Sequence, residues 1–427
     1  LGKPVIRVLG GGKEVGRMSI LVRRNSGDKR GILLDAGVNF DDEDRPVFAA
    51  TYPPKYIDAI ILSHAHLDHI GTAPMYFISG NPRVYATRPT IQMAKLMLED
   101  FLKLNGYYSP YEHREVQTLL EAAEYIRYGQ RVDIDGVEAS AYSAGHIPGS
   151  TFVVLDIDGV RIGFTGDINT IETKLMKPPQ LDAIGRIDVL ITEATYGASL
   201  HPPRERAEKR LLSIVEEVVD RGGTVLIPSF SIARGQEMMM ILAEHDPGVP
   251  VYVDGMIRKV TEIFLENSEY INNLHLLRKA YEEFNIVKGW RDRNRAWRQP
   301  SVIIASAGML KGGPSLYYLK RIGGNPRNAV VLVSFQAPGS NGRRIVEEGL
   351  MPGSEEPVRA RVEWLDFSSH ADYKGLLEVV KATKPRMVVI VHSEEDVAKE
   401  YAKHVMDTGI PEKIVIGENN SDIAVDA

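Results

Sequence analysis

Ile57-Asp58-Ala59-Ile60-Ile61-Leu62-Ser63-His64-Ala65-His66-Leu67-Asp68-His69 is an apolar run that breaks into three imidazoles and one carboxylate within six positions. Residues 57–62 read as a buried strand. Side chains this dense at a strand end converge on a small volume. The pattern HxHxDH arises by chance in about one chain per thousand or fewer at ordinary histidine usage. The bland alternative is a polar loop whose histidines only form hydrogen bonds. Zinc takes about four ligands, one position often being left to water, so this cluster cannot complete two coordination spheres by itself.

The further ligands are sought where a polar residue interrupts or ends an apolar strand, because an unpaired polar side chain is costly there. Three positions qualify: His146 in Ala144-Gly145-His146-Ile147-Pro148-Gly149-Ser150, Asp167 in Thr165-Gly166-Asp167, and His392 after the apolar run 387–391. His146 or His392 taken alone reads sooner as a satisfied structural histidine than as a ligand. The chain has no cysteine, so disulfides, thiolate nucleophiles and Cys-ligated zinc are excluded, and any metal site is built from His, Asp and Glu.

At 427 residues the chain is too long for one core and predicts two or three domains. A composition of 44% hydrophobic and 25% charged residues is that of a globular protein and excludes wholesale disorder. The net charge of −6 excludes a blanket attraction to phosphate, so any nucleic-acid surface must be local. No apolar run approaches the ~18 residues of a membrane span, and no secretory leader is apparent, so a cytoplasmic protein is expected. The sequence opens on Leu1 rather than methionine, which leaves room for residues upstream.

Up to about residue 195, short Val/Ile/Leu-rich strands bounded by Gly, Asp and Pro are separated by turns and a few helices, 89–104 and 112–128 among them. This reads as a β-dominated layer covered by helices and not as an alternating parallel sheet. Asp156-Ile157-Asp158-Gly159 reads as a hairpin turn. The pattern then changes. Helix 204–221, strand 224–227, helix 233–244 and their successors alternate, which predicts a parallel sheet flanked by helices. This reads as an α/β domain inserted into the first, with the tail (360–365, 373–382, 387–391, 394–407 and 413–416) forming a β/α cap that returns to either sheet.

These motifs together resemble the metallo-β-lactamase superfamily, and within it the β-CASP nucleases, nearly end to end. Besides the cluster at 64–69, the resemblance is carried by Gly11-Gly12-Lys13-Glu14-Val15-Gly16-Arg17, Leu34-Asp35-Ala36-Gly37, Thr192-Glu193-Ala194-Thr195-Tyr196-Gly197, Phe367-Ser368-Ser369-His370-Ala371-Asp372-Tyr373 and Val391-His392. The form Ser-Ser-His-Ala-Asp-Tyr is most similar to the nuclease subunit of the cleavage and polyadenylation specificity factor and its archaeal relatives, here the short form without KH modules. RNase J is the next branch. The resemblance implies a metallo-β-lactamase αββα sandwich (1–196 and 353–427) interrupted by an α/β β-CASP domain (197–352).

It also implies two zinc ions: His64, His66 and His146 holding one, Asp68, His69 and His392 the other, Asp167 bridging. His370 would donate a proton to the leaving oxygen or contact the phosphate, Glu193 would raise its pKa, and Asp35 would orient a ligand histidine. The implied activity is hydrolysis of RNA to 5′-phosphate and 3′-hydroxyl ends, by endonuclease or 5′→3′ exonuclease action. Single-stranded RNA is the expected partner, and a homodimer through the C-terminal segment is expected on resemblance alone. A small-molecule hydrolase on the same scaffold and a non-catalytic RNA-processing scaffold are the alternatives. The large insertion argues against the first, and the intact ligand set against the second.

Ser229, Ser231 and Arg234 lie at one strand-to-helix turn, and Ser306 and Lys311 at another. Helix N-termini offer free N–H groups to anions, and both stretches match motifs lining the family's RNA cleft; helix capping by serine is the plainer account. Lys288–Arg298 (KGWRDRNRAWR) sets five bases and two tryptophans against Asp292 alone. Stacking on single strands and a solvated basic face with core-facing tryptophans fit it equally. Gly10 to Val15 fails the dinucleotide fingerprint because position 15 is valine. A close turn over the metal cleft is the better account.

Overall fold

The apolar run before the histidine cluster is the strand Ile57–Ile61, fifth in a seven-stranded sheet. That sheet runs Ser421–Ala424, Val5–Gly10, Ser19–Arg23, Gly31–Leu34, Ile57–Ile61, Arg83–Ala86, Ala123–Tyr125. A second runs Lys413–Ile416, Met387–Val391, Val189–Glu193, Val160–Phe164, Thr151–Ile157, Val137–Ser143, Arg131–Ile134. The structure, a computed structural model, describes residues 2–425. Both sheets belong to one compact unit whose described part comprises residues 2–172, 178–200 and 369–425.

Alternation along the strands sets the layers. Ile20, Leu34, Val153, Leu155, Ile191 and Val389, drawn from both sheets, share one core. The intervening Leu21, Leu33 and Ile60 turn outward onto Ile91, Leu98 and Phe101 of the helix Arg88–Asn105 and Leu119 of the helix His113–Glu121. On the far side Leu190, Val388 and Ile390 pack on Leu376 and Val380 of Tyr373–Thr383 and Tyr401 of Glu395–Met406. The unit is therefore an αββα sandwich. Asp158 (φ 53°) and Gly159 (φ 87°) close the hairpin between Thr151–Ile157 and Val160–Phe164, the two left-handed residues that a type I′ turn needs.

One local expectation fails. The helix anticipated over 112–128 stops at Glu121, and Ala123–Tyr125 instead pairs in parallel with Arg83–Ala86 at the sheet edge. Local periodicity carries no information about that open edge.

The other unit comprises residues 173–177 and 201–368. Its six-stranded sheet is parallel throughout, ordered Asn285–Ile286, Val251–Asp254, Ser301–Ala305, Thr224–Pro228, Ala329–Leu332, Arg361–Trp364. Val225, Ile227, Val302 and Ile304 face one core, while Leu226, Ile303 and Ala305 face another. Such double coverage is why these strands read as unbroken apolar runs. The Glu237 carboxylate accepts the backbone N–H groups of Lys174 and Leu175, 3.0 Å each, which ties residues 173–177 to the helix Arg234–His245. Among the described residues no helix is long and apolar enough to cross a membrane.

Candidate metal centre

Parallel pairing gathers the polar residues of the sandwich at one edge. Phe164 is in register with Ile191, and Glu193 with Val391, so Asp167, Glu193 and His392 emerge at the same end of neighbouring strands. His64 follows Ile57–Ile61 in the facing sheet, and His146 lies between the paired strands Val137–Ser143 and Thr151–Ile157. Asp68 and His69 occupy the one-turn helix Leu67–Ile70. That turn is clamped: the Asp68 carbonyl accepts from Met18 N–H (2.7 Å) and the His69 carbonyl from Ala36 N–H (2.8 Å). Gly37 is required here, since a Cβ would lie 1.7 Å from the Asp68 carbonyl oxygen.

Among the described residues three groups of ligand-type atoms result, the atoms of each within 4.8 Å of one another. Two hold the expected zinc ligands, His64, His66, His146 and Asp167, and Asp68, His69 and His392; the third is Asp167, Glu193 and His370. His66 Nδ1 lies 3.1 Å from His64 Nε2 and 3.2 Å from His146 Nε2. The edge of a tetrahedron with zinc–nitrogen bonds of ~2.05 Å is ~3.3 Å, so this spacing fits one ion. Asp167 spans both ligand groups. Its Oδ2 lies 3.4 Å from His64 Nε2 and 3.7 Å from His146 Nε2, while Oδ1 lies 3.2 Å from His69 Nε2 and 3.5 Å from His392 Nδ1. Asp68 Oδ2 approaches His392 Nε2 at 3.4 Å. His69 Nε2, Asp167 Oδ1 and His392 Nε2 are buried and have no hydrogen-bond partner among the described residues. Orphaned atoms of this kind are expensive, and a divalent cation would satisfy all three.

The opposite ring nitrogens are held. His69 Nδ1 faces Asp35 Oδ2 at 2.7 Å, and His146 Nδ1 donates to the Ser369 carbonyl at 2.8 Å. Both contacts turn Nε2 toward the centre, and on His146, protonated at Nδ1, Nε2 keeps its lone pair. Asp35 also accepts the Ser63 N–H and hydroxyl, both at 2.6 Å, and the Ser63 oxygen lies 3.1 Å from His64 Nδ1.

Burial lowers the His64 pKa to about 3 and desolvation lowers that of His66 to about 4; His146 is also held well below the usual value by burial. These rings are neutral and open to a metal at pH 7. His69 differs: burial opposes its charge, but the Asp167 and Asp35 carboxylates outweigh burial and hold its pKa well above the usual value. Asp167 is likewise buried, and the cationic rings around it, His69 first, keep it ionised. His370 sits beside the centre, Nε2 3.8 Å from Asp167 Oδ2. Burial opposes its charge, yet Glu193 and Asp167 raise its pKa to about 9.

Three family models match successive parts of the chain: a metallo-beta-lactamase superfamily domain over residues 26–187, a Beta-Casp domain over 235–345 and a Zn-dependent metallo-hydrolase RNA specificity domain over 355–416. RNase aCSPSF2 of Saccharolobus solfataricus is 46% identical over 98% of this chain and 85% of its own. The chain belongs to the β-CASP family of zinc-dependent metallo-hydrolases. The transcription termination factor FttA of Pyrococcus horikoshii is 35% identical to this β-CASP chain over 90% of it, and the match spans 66% of FttA. A crystal structure of a protein of unknown function from Enterococcus faecalis V583 has a TM-score of 0.64 and 12% identity, covering 99% of this chain and 100% of that one; it shares the fold.

The residues assigned to RNA lie in the other unit of the β-CASP chain, at the C-terminal ends of its parallel strands. Ser229 N–H donates to the Ala305 carbonyl at 2.9 Å, which sets Ser229 and Ser306 side by side. The Ser229 hydroxyl is fully buried and donates to the Ile227 carbonyl, while the Ser306 hydroxyl accepts from Met256 N–H. Ser231 is half-buried, Arg234 buried and Lys311 exposed. Serine caps neither following helix: Ala233 (φ 66°) precedes Arg234–His245 and Gly312 precedes Gly313–Ile322.

Sequence reading passed over Ser63 and Thr195. The Thr195 hydroxyl donates to Glu193 Oε2 at 2.5 Å and lies 3.3 Å from His392 Nδ1, joining the proton-donor side to the ligand side. The available signal was position alone: each sits within two residues of a motif residue.

Proposed function

We propose that this chain is a two-zinc ribonuclease that hydrolyses single-stranded RNA to 5′-phosphate and 3′-hydroxyl ends. His64, His66 and His146 would hold one ion, Asp68, His69 and His392 the other, and Asp167 would serve both. The Asp167 carboxylate, with one oxygen toward each histidine group, is the observation that carries the reading. Zinc bound there supplies water of lowered pKa and positive charge against the phosphoryl oxygens, the chief need of an already anionic electrophile.

The chain's own residues manage the proton. Hydrolysis forms a bond from water oxygen to phosphorus and breaks phosphorus to O3′, so O3′ must gain a proton. His370 is charged at neutral pH. Glu193 occupies its Nδ1, which leaves the Nε2 proton for the departing oxygen. The buried Asp35 fixes the His69 tautomer. The anion-binding part falls to the strand ends carrying Ser229, Ser231, Arg234, Ser306 and Lys311. Support for RNA as substrate comes from relatives named RNases, and from the RNA specificity domain matched over 355–416. A lactamase-like small-molecule hydrolase or an inert scaffold fits those relatives poorly. A cytoplasmic place of action accompanies the RNA substrate, and cell fractionation tests it.

The decisive experiment digests end-labelled RNA bearing a 5′-triphosphate or 5′-monophosphate, with and without chelator. Internal fragments from both substrates establish endonuclease action; mononucleotides from the monophosphate alone establish 5′→3′ exonuclease action. No cleavage by zinc-loaded protein removes the reading. A homodimer is the proposed assembly, and a monomer in light scattering at micromolar concentration disposes of it.

A further inference from the structure

The two tryptophans of Lys288–Arg298 have different fates. Trp297 is half-buried against the core that holds Tyr318 and Leu319. Trp290, the first residue of the helix Trp290–Ala296, is 65% exposed. It is nevertheless held in place. The Tyr317 ring meets it edge-on, centroids 5.5 Å apart at 69°, and the Arg293 guanidinium lies 5.1 Å from the indole centroid. Arg293 is itself fixed by two 2.7 Å bonds to the buried Asp254 carboxylate. The Tyr317 hydroxyl donates to Asn294 at 2.9 Å, and Arg321 lies 4.3 Å from the Tyr317 centroid.

The surroundings are cationic. Lys288, Arg291, Arg295, Arg298 and Arg321 are all exposed. The acid of the segment, Asp292, accepts the Lys288 backbone N–H. This concentration stands out on a chain of net charge −6. A fixed, exposed ring ringed by cations meets both needs of a single strand: a face on which a base stacks, and charge for its phosphates. A protein partner would need an acidic face of its own to match these cations, whereas any RNA strand carries the phosphates.

We propose that Trp290, supported by Tyr317 and Arg293 and flanked by Arg291 and Arg321, is a stacking site for a base of single-stranded RNA, built into the unit that does not carry the metal centre. The proposal rests on the ribonuclease reading, since it supposes an RNA strand long enough to reach this surface.

The test compares wild type, Trp290→Ala, Trp290→Phe and Arg291→Ala on single-stranded RNA of roughly 20 nucleotides, longer than one binding module spans. Trp290→Ala is expected to raise KM about tenfold, the equivalent of ~1.4 kcal/mol and within the range for one stacked base, with kcat at saturation unchanged. Trp290→Phe restores most of the loss. Arg291→Ala lowers the slope of log affinity against log salt by about one. In chelator-treated wild type the RNA quenches indole fluorescence, and the quenching shrinks in Trp290→Ala. A Trp290→Ala enzyme whose KM stays within about twofold of a normally active wild type overturns the stacking site and leaves the ribonuclease reading intact. Wild type that neither binds nor cleaves RNA removes both. Equal losses on single-stranded and duplex RNA also overturn the site, because paired bases present no free face.

Discussion

The imidazole of His370 presents Nδ1 to both oxygens of the Glu193 carboxylate, 2.9 Å from each. Glu193 is 1% exposed, so little solvent screens the pair. The attraction favours the charged ring, which is why its pKa stands at about 9 despite burial. A group with a raised pKa donates protons below that value and loses the ability as pH rises through it. Glu193→Gln removes the charge and lowers the pKa. The alkaline limb of the pH–rate profile should therefore move to lower pH in Glu193→Gln and vanish in His370→Ala, whose kcat falls ~10²–10⁴-fold. A limb that stays in place in Glu193→Gln contradicts the assignment.

Asp167→Asn keeps the shape and removes the charge that faces both histidine groups. Outer partners of a metal site typically cost ~10–100-fold in affinity, and a residue addressing both groups should cost at least as much. Elemental analysis after dialysis is expected to find less zinc than in wild type, and cleavage should fall ~100-fold or more. Full zinc content with normal cleavage refutes the bridging role.

Metal uptake should release protons unequally. His64 and His66, with pKa values of about 3 and about 4, carry none to release at pH 7, whereas His69 is protonated in the empty centre. Loading must displace that proton, so apparent zinc affinity weakens as pH falls. Calorimetry of zinc binding in buffers of different ionisation enthalpy should report about one proton or more per protein at pH 7. No release would show that His69 is neutral before the metal arrives.

Gly37→Ala is a steric test of the clamp around the ligand helix. The added methyl meets the Asp68 carbonyl oxygen, which is backbone and cannot swing aside. A loss of ~1–3 kcal/mol is expected in denaturant melts, with weaker zinc retention because Asp68 and His69 shift together. Wild-type stability and zinc retention would mean that the turn accommodates the methyl.

The legible parts of the site were those whose chemistry is written locally. Ile57–Ile61 announces itself by an unbroken apolar run, and the imidazoles after it by their density. His146 and His392 became legible only beside the cluster at 64–69, because a single histidine after a strand has an ordinary structural use. Contacts across the fold stayed hidden: the Ala123–Tyr125 edge strand is decided by Arg83–Ala86, and the link from Thr195 to His392 crosses 197 residues of sequence. The split between Trp290 and Trp297 was equally invisible, since a seven-residue helix with arginine at alternate positions has no apolar stripe to show which ring turns inward.

Met387–Val391 stands inside the second sheet, between Val189–Glu193 and Lys413–Ile416, and delivers His392. The sandwich thus begins with residue 5 and is closed by strands synthesised after the whole insertion. A nascent polypeptide still threading the ribosome exit tunnel at residue 380 lacks both an interior strand and a ligand. The residues that face the centre are therefore brought together only after the late strands of the second sheet have been made.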